Sequence, residues 1–366
     1  MDRGDARTPS RRELRGLVLY HDGRTLFVSR GYRLYRSRDG GASLERLATL
    51  PRSSLREQLA RTRLGQRLVR GYIRHLLPSG DALVALAGRR FFRLSVPSEE
   101  LWDRDAKTVR GALRIEAGPF AAGRQPFHLA STEQGLYYGE YRSNPERAPV
   151  GVYRSRDGGL SFALHCRFAG VRHIHGVFAD PWEPGTLLAA TGDDDSESGI
   201  WRISEASGER ERIAGGSQRY RAVTLLPTER FIYFGSDSPR ERNFLYRLDR
   251  RGGHLERLAE VGGSVFWGRR LADGTLAFST VVEPSEVNTS RDAELWVSRD
   301  GEAFTCLGRY RADPLHPKLF QYSQIRFPAG PGAGGELWLT PFANWRHERS
   351  EELDLASECP VSGHCF

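Results

Sequence analysis

The segment Val152–Phe162 reads VYRSRDGGLSF, and it decides how the rest of the chain is interpreted. An apolar and aromatic pair opens it, as at the end of a β-strand, and a Ser-x-Asp-Gly-Gly turn follows. The carboxylate of Asp157 can accept hydrogen bonds from amides of its own turn, and the glycines supply the positive φ that a tight turn needs. Phe162 then begins the next apolar stretch. The segment therefore predicts two strands joined by a turn that a side chain stabilises.

The same turn pattern occurs three times along the chain. Ser-Arg-Asp-Gly is found at Ser37–Gly40, Ser155–Gly158 and Ser298–Gly301, each time after an aromatic or apolar strand. Two copies continue as Gly-x-Ser followed by an apolar residue, whereas the third continues as Glu302-Ala303-Phe304. A strand–turn–strand unit that recurs in this way is typical of a repeat architecture.

The three copies resemble the Asp box, also called the BNR repeat, of sialidase-like β-propellers, whose pattern is Ser-x-Asp-x-Gly-x-Thr/Ser-Trp/Phe. The resemblance implies an all-β propeller with a carbohydrate site in its central funnel. It also implies three arginines around a carboxylate, for which Arg124, Arg172 and Arg221 are candidates, and a catalytic tyrosine, for which Tyr220 or Tyr322 is one. The Arg-Ile-Pro motif of sialidases is absent. We therefore expect the architecture without sialidase activity.

Short apolar runs separated by turn residues form seven sets, each beginning with an innermost strand. The sets span Leu17–Leu50, Tyr72–Ala117, Phe127–Phe168, His173–Ile213, Ala222–Ala259, Val265–Arg309 and the incomplete Tyr322–Thr340. An amphipathic helix is expected near Leu55–Val69. We predict a single propeller domain over residues 1–366, with blades over about 12–345 and a polar surface tail over 346–366. Seven innermost strands favour seven blades, and six blades are the alternative.

The basic composition does not indicate a nucleic-acid partner. The 366 residues carry a formal net charge of +8, but only Lys107 and Lys318 are lysines, and the arginines are scattered between acidic residues. Arginines in a pocket suit a carboxylated or sulfated ligand. No apolar run has transmembrane length and no secretory leader is evident, so we expect a cytoplasmic protein without a membrane partner.

The cysteines give no sign of a metal knuckle. They are Cys166, Cys306, Cys359 and Cys365, and none of them forms a C-x-x-C pair. Whether Cys359 and Cys365 are joined by a disulfide stays open at this point.

Polar residues recur at two equivalent places in the predicted blades, around the start of the innermost strand and just past the second strand. Because residues that recur in register converge on one mouth of a propeller, we expect them to form a ligand-binding funnel. The candidates for substrate binding are Arg124, Asn144, Arg172, Gln218, Arg221, Gln321 and Gln324. The candidates for catalysis are Glu140, His173, His175, Asp193, Tyr220, Asp237 and Glu283.

His173 and His175 lie two residues apart on a predicted strand, so both side chains point to one face. Three interpretations stay open: acid–base catalysis or substrate contact, metal ligation together with Asp193 or His128, and a structural role in the core. A metal site needs three or more protein ligands in a defined geometry, and the sequence does not identify the third. We therefore predict no metal cofactor.

Paired carboxylates are the usual equipment for hydrolysing a glycosidic bond, and Glu140, Asp193, Asp237 and Glu283 offer several pairs. The alternative chemistry is β-elimination, in which a histidine or tyrosine base removes the proton beside a uronate. We expect an enzyme that cleaves an acidic oligo- or polysaccharide in the funnel. The competing hypothesis is a non-catalytic propeller that binds a glycan or a protein.

Overall fold

The computed structural model describes residues 10–52, 54–95, 114–123, 126–251 and 253–355. Within these residues, antiparallel strands make up most of the regular structure. In chain order the strands are β1 Ser10–Arg15, β2 Leu17–His21, β3 Leu26–Arg30, β4 Arg33–Ser37, β5 Glu45–Thr49, β6 Ile73–Ser79, β7 Ala82–Ala87, β8 Arg90–Ser95, β9 Arg114–Pro119, β10 Leu129–Thr132, β11 Gly135–Gly139, β12 Val150–Ser155, β13 Ala163–Phe168 and β14 His173–Ala179. They continue as β15 Thr186–Gly192, β16 Gly199–Ser204, β17 Arg210–Gly215, β18 Ala222–Pro227, β19 Phe231–Ser236, β20 Asn243–Asp249, β21 Leu255–Val261, β22 Val265–Arg270, β23 Leu276–Val282, β24 Asp292–Ser298, β25 Thr305–Arg311, β26 Ser323–Arg326, β27 Glu336–Phe342 and β28 Arg349–Asp354.

The strands of the described residues collect into five four-stranded sheets and one eight-stranded sheet. The four-stranded sheets are the consecutive runs β2–β5, β6–β9, β10–β13, β14–β17 and β18–β21. The eight-stranded sheet contains β22–β25 and β26–β28 with β1, and it is joined where Val281 and Val282 of β23 pair with β26. First strands of successive sheets contact one another from β2 through β6, β10, β14 and β18 to β22, and β2 also contacts β27. The sheets thus follow one another in a ring, as in a β-propeller.

Both ends of the described chain complete the same sheet. β28 pairs with β27, and β1 pairs with the free edge of β28, which places Glu13 opposite Glu351. The prediction of a polar surface tail over 346–366 is therefore wrong for β28. Its polar residues are buried because they have partners: Ser350 donates its hydroxyl to the carbonyl of Gly16 at 2.6 Å, and Glu351 pairs with Arg346 at 2.7 Å. Cys359 and Cys365 lie outside the described residues.

The apolar cores lie between neighbouring sheets. One cluster joins Leu17 and Phe27 of the first sheet to Ile73 and Phe92 of the second. Equivalent clusters connect β10–β13 with β14–β17, and β14–β17 with β18–β21. Packing sheet against sheet removes both faces from water, which is why Ala82–Ala87 is buried at every residue.

The predicted helix between the first two sheets is interrupted. It consists of α1 (Leu55–Gln58), a 3-10 turn and α2 (Arg63–Val69). The break occurs because Thr62 is extended and caps α2, accepting a hydrogen bond from the amide of Gly65 at 3.0 Å. A further short helix, α3, spans Pro317–Phe320. Among the described residues, no helix has both the length and the apolar character needed to cross a membrane.

The turns with the repeated sequence pattern are held by their aspartates. Asp157 accepts hydrogen bonds from the amides of Leu160 and Ser161 at 3.0 and 2.9 Å, and from the hydroxyl of Ser155 at 2.7 Å. Asp39 makes the equivalent contacts in the first sheet, where its Oδ1 accepts from the amide of Ser43 at 2.9 Å. Gly158 has a φ of +68°. A side chain there would also collide with Arg93 of the preceding sheet, whose Cδ lies 2.9 Å from the position of a Cβ.

Candidate functional site

A cavity of about 540 Å³ lies at the centre of the ring, a volume in the usual range for small-molecule sites. It is lined from several sheets, by the starts of innermost strands and by the loops beside them. Its charged lining is unbalanced, because seven arginines and only two carboxylates border it in the described part of the chain. The arginines are Arg56, Arg70, Arg74, Arg89, Arg142, Arg221 and Arg326, and the carboxylates are Asp237 and Glu283.

β-Bulges orient several of the lining side chains towards the cavity. In the first hairpin of three sheets, the register between the two strands shifts by one residue at Arg74, at His175 and at Phe266. A bulged residue has no partner on the neighbouring strand, and the extra twist turns its side chain in a new direction. All three side chains line the cavity, and so do His75 and Trp267, which follow two of the bulges.

His173 and His175 of β14 meet Asp193, which directly follows β15. The Nε2 atoms of the two histidines are 3.1 Å apart, and they lie 3.4 and 3.6 Å from Oδ1 of Asp193. Both Nδ1 atoms contact backbone carbonyls, His173 that of Arg142 at 3.3 Å and His175 that of Ala222 at 2.8 Å. With the Nδ1 protons donated to these carbonyls, each neutral imidazole presents a lone pair at Nε2. Three acceptors therefore converge on one point.

The convergence of these three acceptors fits a divalent metal ion. Ligand atoms about 2.1 Å from a common ion lie about 3.0–3.4 Å apart in octahedral or tetrahedral geometry. The observed separations of 3.1, 3.4 and 3.6 Å are close to these values. Backbone carbonyls that hold the distal nitrogens are also the usual support of histidine ligands. Of the two candidates for a third ligand, Asp193 lies beside both histidines, whereas His128 contacts the carbonyl of Phe266 instead.

Asp193 is also surrounded by cations. Arg172 pairs with its Oδ2 at 3.1 Å and Arg221 with its Oδ1 at 3.2 Å. Burial tends to raise the pKa of this carboxyl. When the Nε2 atoms of His173 and His175 carry protons in place of a metal ion, their hydrogen bonds and charges outweigh burial and hold the pKa of Asp193 well below its ordinary value. Arg172 and Arg221 are therefore already paired, so they differ from the free arginine cluster that the resemblance to sialidases implied.

Glu283, which follows β23, is the cavity residue with the strongest sign of acid–base function. Burial, together with the nearby charge of Asp237, raises the pKa of its carboxyl from 4.5 to about 7. A hydrogen bond from Tyr322 and the charge of Arg221 act in the opposite direction. Asp237, which follows β19 and lies 3.4 Å from Nε of Arg221, borders the same cavity. Two carboxyl groups in different environments are a common arrangement for proton transfer.

Several predicted site residues instead have structural partners. Glu140 binds Arg142 and the amide of Gly151, and Asn144 donates to the carbonyls of Ala148 and Arg172. Gln218 donates to the carbonyl of Asp193 at 3.0 Å.

Gln321 and Gln324 border the cavity, but they are held by Tyr72 and Trp267 respectively. Tyr220 packs beside an apolar cluster and Arg124 lies outside the described residues.

Two cavity arginines on innermost strands, Arg74 of β6 and Arg326 of β26, were not among the candidates from the sequence. Arg70, Tyr72 and Arg74 line the cavity at every second position, and so do Tyr322, Gln324 and Arg326. Only the second set follows the ordinary alternation of an extended chain, because Arg70 is the left-handed C-cap of α2 and Arg74 lies at a β-bulge. Nothing in the sequence indicated that these arginines would lack acidic partners.

No protein-family model matches the chain, and no curated protein matches it in sequence. Solved structures do resemble it in fold. An oligogalacturonate lyase from Vibrio parahaemolyticus superposes with a TM-score of 0.60 at 9% identity, over 96% of this chain and 93% of that chain. An oligogalacturonate lyase in complex with manganese gives 0.50 at 11% identity, over 96% and 95% of the two chains. A chain of the mitotic checkpoint complex gives 0.55 at 12%, over 97% and 96%.

These neighbours are β-propellers, and at such low identity the likeness establishes the fold alone. The chain is therefore an all-β protein of the propeller class.

Proposed function

We propose that this propeller binds an acidic oligosaccharide in its central cavity and cleaves a glycosidic bond there, with Glu283 as the proton-transfer group. The observation that carries the proposal is a carboxyl with a pKa of about 7 inside a cavity that has seven arginines and two carboxylates. Acid–base catalysts are most effective when their pKa lies near the working pH. The excess of arginine favours a ligand with several carboxylate or sulfate groups.

Hydrolysis would use both carboxyl groups of the cavity. Protonated Glu283 would donate a proton to the oxygen of the leaving sugar, while Asp237 would act as the base or nucleophile. Tyr322 would orient Glu283 through its hydrogen bond. The other predicted carboxylates suit this role less well, because Glu140 and Asp193 do not line the cavity.

β-Elimination is the second candidate route, and the histidine–aspartate cluster favours it. His173, His175 and Asp193 would hold a divalent metal ion beside the cavity, which His175 itself lines. When bound there, such an ion would withdraw electrons from a uronate carboxylate and make the neighbouring proton more acidic. The chain's own part would be to place the sugar acid with its arginines and to remove the proton beside the carboxylate with Glu283, as the bond to the glycosidic oxygen breaks. Tyr141, whose pKa is raised by burial, would stay protonated and would donate its proton to the leaving oxygen. One structural neighbour is an oligogalacturonate lyase bound to manganese, which supports testing this route.

We also propose seven blades with Asp-box turns of the sialidase-like type. The eight-stranded sheet counts as two blades, because its halves of four strands are joined only through Val281 and Val282. The hydrogen bonds that Asp39, Asp157 and Asp300 accept from their own turns support the Asp-box assignment. An experimental structure in which the ring contained six blades would overturn this part of the proposal.

The activity test uses the full chain on uronate oligosaccharides, sulfated oligosaccharides and a neutral oligosaccharide of equal length. New reducing ends and the ultraviolet absorbance of unsaturated uronates are followed together. Reducing ends alone indicate hydrolysis, and both signals indicate elimination. Glu283→Gln should lower either activity by about 10²–10⁴-fold. Glu260→Gln, which changes an exposed carboxylate on β21, should leave it unchanged. Preference for the neutral substrate, or full activity in Glu283→Gln, would contradict the proposal.

A non-catalytic role has one observation in its favour. Leu55, Leu59, Leu64 and Leu68 of the interrupted helix are exposed, with Leu55 at 89%. Exposed apolar patches often bind other proteins. Binding of acidic oligosaccharides by calorimetry without any cleavage would favour this scaffold role over the enzyme.

A further inference from the structure

Two guanidinium groups of the cavity lack a counter-ion. Arg74 of β6 and Arg326 of β26 both line it, and no carboxylate among the described residues lies within ion-pair distance of either. Arg326 is only 7% exposed, and its Nε and Nη1 atoms are buried without a hydrogen-bond partner. In Arg74 the buried atoms without a partner are Nε and Nη2.

Other buried arginines of the described chain have specific partners. Arg36 pairs with Glu45 at 2.6 Å, Arg67 pairs with Asp313, and Arg250 pairs with Asp180 at 2.6 Å. Leaving a buried donor without an acceptor costs about 1–3 kcal/mol, and more for a charged group. Arg36, Arg172, Arg221 and Arg269 each have one buried guanidinium nitrogen without a partner, but the other nitrogens of each bind a carboxylate or, in Arg269, the carbonyl of Pro328. Arg74 and Arg326 each have two such nitrogens, and both residues border the central cavity.

The surroundings of Arg326 fix its position without satisfying its charge. The guanidinium lies over the rings of Phe342, Trp267 and Tyr72 at 4.5, 5.1 and 5.3 Å. Its Nη2 donates to the hydroxyl of Tyr72 at 3.0 Å. Aromatic faces favour a cation, but they accept no hydrogen bond from Nε or Nη1. Glu348 is within electrostatic range of Arg326, yet it is buried and pairs with Arg63 at 3.7 Å.

Arg74 is held close to this second positive charge. Burial, together with repulsion from Arg326 and Arg70, lowers the pKa of its guanidinium to about 10, although Tyr72 acts in the opposite direction. Its free Nε and Nη2 atoms form the side-on fork that binds two oxygens of one anion. Arg74 and Arg326, together with His75 and Trp267, also line a second cavity of about 130 Å³.

We infer that Arg74 and Arg326 together bind an oxyanion at the base of the central cavity. On the proposed function, this anion is the carboxylate or sulfate group of the bound sugar. The fork of Arg74 would take two of its oxygens, and Arg326 would donate from Nε or Nη1. Arg172 and Arg221 are not the anion-binding groups, because both already pair with Asp193. Arg74 and Arg326 have that role instead.

The test measures binding of inorganic sulfate and of acetate to the full chain by calorimetry, at constant ionic strength in a chloride background. The wild type should bind one anion, and Arg74→Gln and Arg326→Gln should weaken binding by at least about tenfold. Arg74→Lys keeps the charge and removes the fork, so it should also weaken binding. Arg24→Gln, which removes the same charge from an exposed turn, should not. Thermal unfolding of each variant separates lost binding from lost folding.

The outcomes distinguish the anion site from the proposed function. Absence of sulfate and acetate binding to the wild type, or binding by folded Arg74→Gln and Arg74→Lys that is as tight as that of the wild type, overturns the inference. If the anion binds and Arg74→Gln abolishes it, the site stands even when no oligosaccharide is cleaved. If an acidic oligosaccharide is cleaved equally well by wild type and Arg74→Gln, the proposed function stands and the inference fails. Tighter binding of sulfate than of acetate would indicate that the substrate is a sulfated sugar. Tighter binding of acetate would indicate a uronate.

Discussion

The Nε2 atoms of His173 and His175 face each other at 3.1 Å, while the Nδ1 atoms of both rings contact backbone carbonyls. Two lone pairs at this distance repel unless a cation or a proton lies between them. Oδ1 of Asp193 adds a third acceptor. The arrangement is therefore suited to hold a positive charge, and its dimensions match those of a divalent metal site.

We predict that the chain binds one Mn²⁺ or Zn²⁺ ion after removal of metals by a chelator, as measured by calorimetry. His175→Ala should lower the affinity by at least about tenfold, because it removes one of three ligand atoms. His254→Ala provides the matched control, since His254 is an exposed histidine outside the cluster. If the wild type bound neither ion, or if folded His175→Ala bound as tightly, the three acceptors would share a proton rather than a metal.

Glu283 should make the protein less stable as the pH rises. Burial and the charge of Asp237 raise its pKa from 4.5 to about 7, with a smaller contribution from Asp193 and opposing ones from Arg221 and Tyr322. A raised pKa means that the folded state holds the proton more tightly than the unfolded chain. The stabilisation is complete below about pH 4.5 and is lost as the pH rises through 7.

The measurement compares urea unfolding of the wild type and Glu283→Gln at several pH values. Between pH 5 and pH 7.5, the free energy of unfolding of the wild type should fall by about 2 kcal/mol relative to that of Glu283→Gln. Glu260→Gln serves as the control. A difference that stayed constant across this range would mean that Glu283 titrates normally.

Tyr322 tunes the acidity of Glu283. Its hydrogen bond favours the ionised carboxylate and so lowers the pKa of Glu283, against the effects of burial and of Asp237. Tyr322→Phe removes the hydrogen bond and keeps the ring, so the pKa of Glu283 should rise above its wild-type value. Carbon-13 NMR of labelled glutamate carboxyls measures this directly, and Glu283→Gln assigns the resonance. An unchanged or lower pKa would show that the two side chains are not coupled.

Much of the fold was predictable from local sequence, because the strand periodicity and the Asp-Gly turns are local features. β28 was not predictable, since Glu351 and Glu352 look like surface residues until Arg346 and β1 are brought against them. In the site, the common face of His173 and His175 followed from spacing alone. The pairing of Arg172 and Arg221 with Asp193, and the isolation of Arg74 and Arg326, depend on contacts between sheets and on bulges. Such long-range contacts leave no pattern in a single sequence.

The aspartates of the repeated turns should each contribute measurably to stability. Asp157 accepts hydrogen bonds from two amides and from the hydroxyls of Ser155 and Ser161, and an alanine would leave these donors without the carboxylate. We expect Asp157→Ala to lower the free energy of unfolding at pH 7 by about 1–3 kcal/mol. Ser161→Ala removes one hydroxyl and keeps the amide contacts, so its effect should be below about 1 kcal/mol.

The pH dependence identifies the carboxylate as the cause. Burial tends to raise the pKa of Asp157, but hydrogen bonds from Ser161, Ser155 and Leu160 outweigh it, so the pKa in the folded protein lies below 3.8. A lowered pKa gives stability that is present above pH 3.8 and is lost as the pH falls through the folded-state value. The difference between wild type and Asp157→Ala in urea unfolding should therefore shrink on acidification below about pH 4. If it persisted unchanged at pH 2.5, the loss would come from altered packing of the turn against the preceding sheet rather than from the hydrogen bonds to the carboxylate.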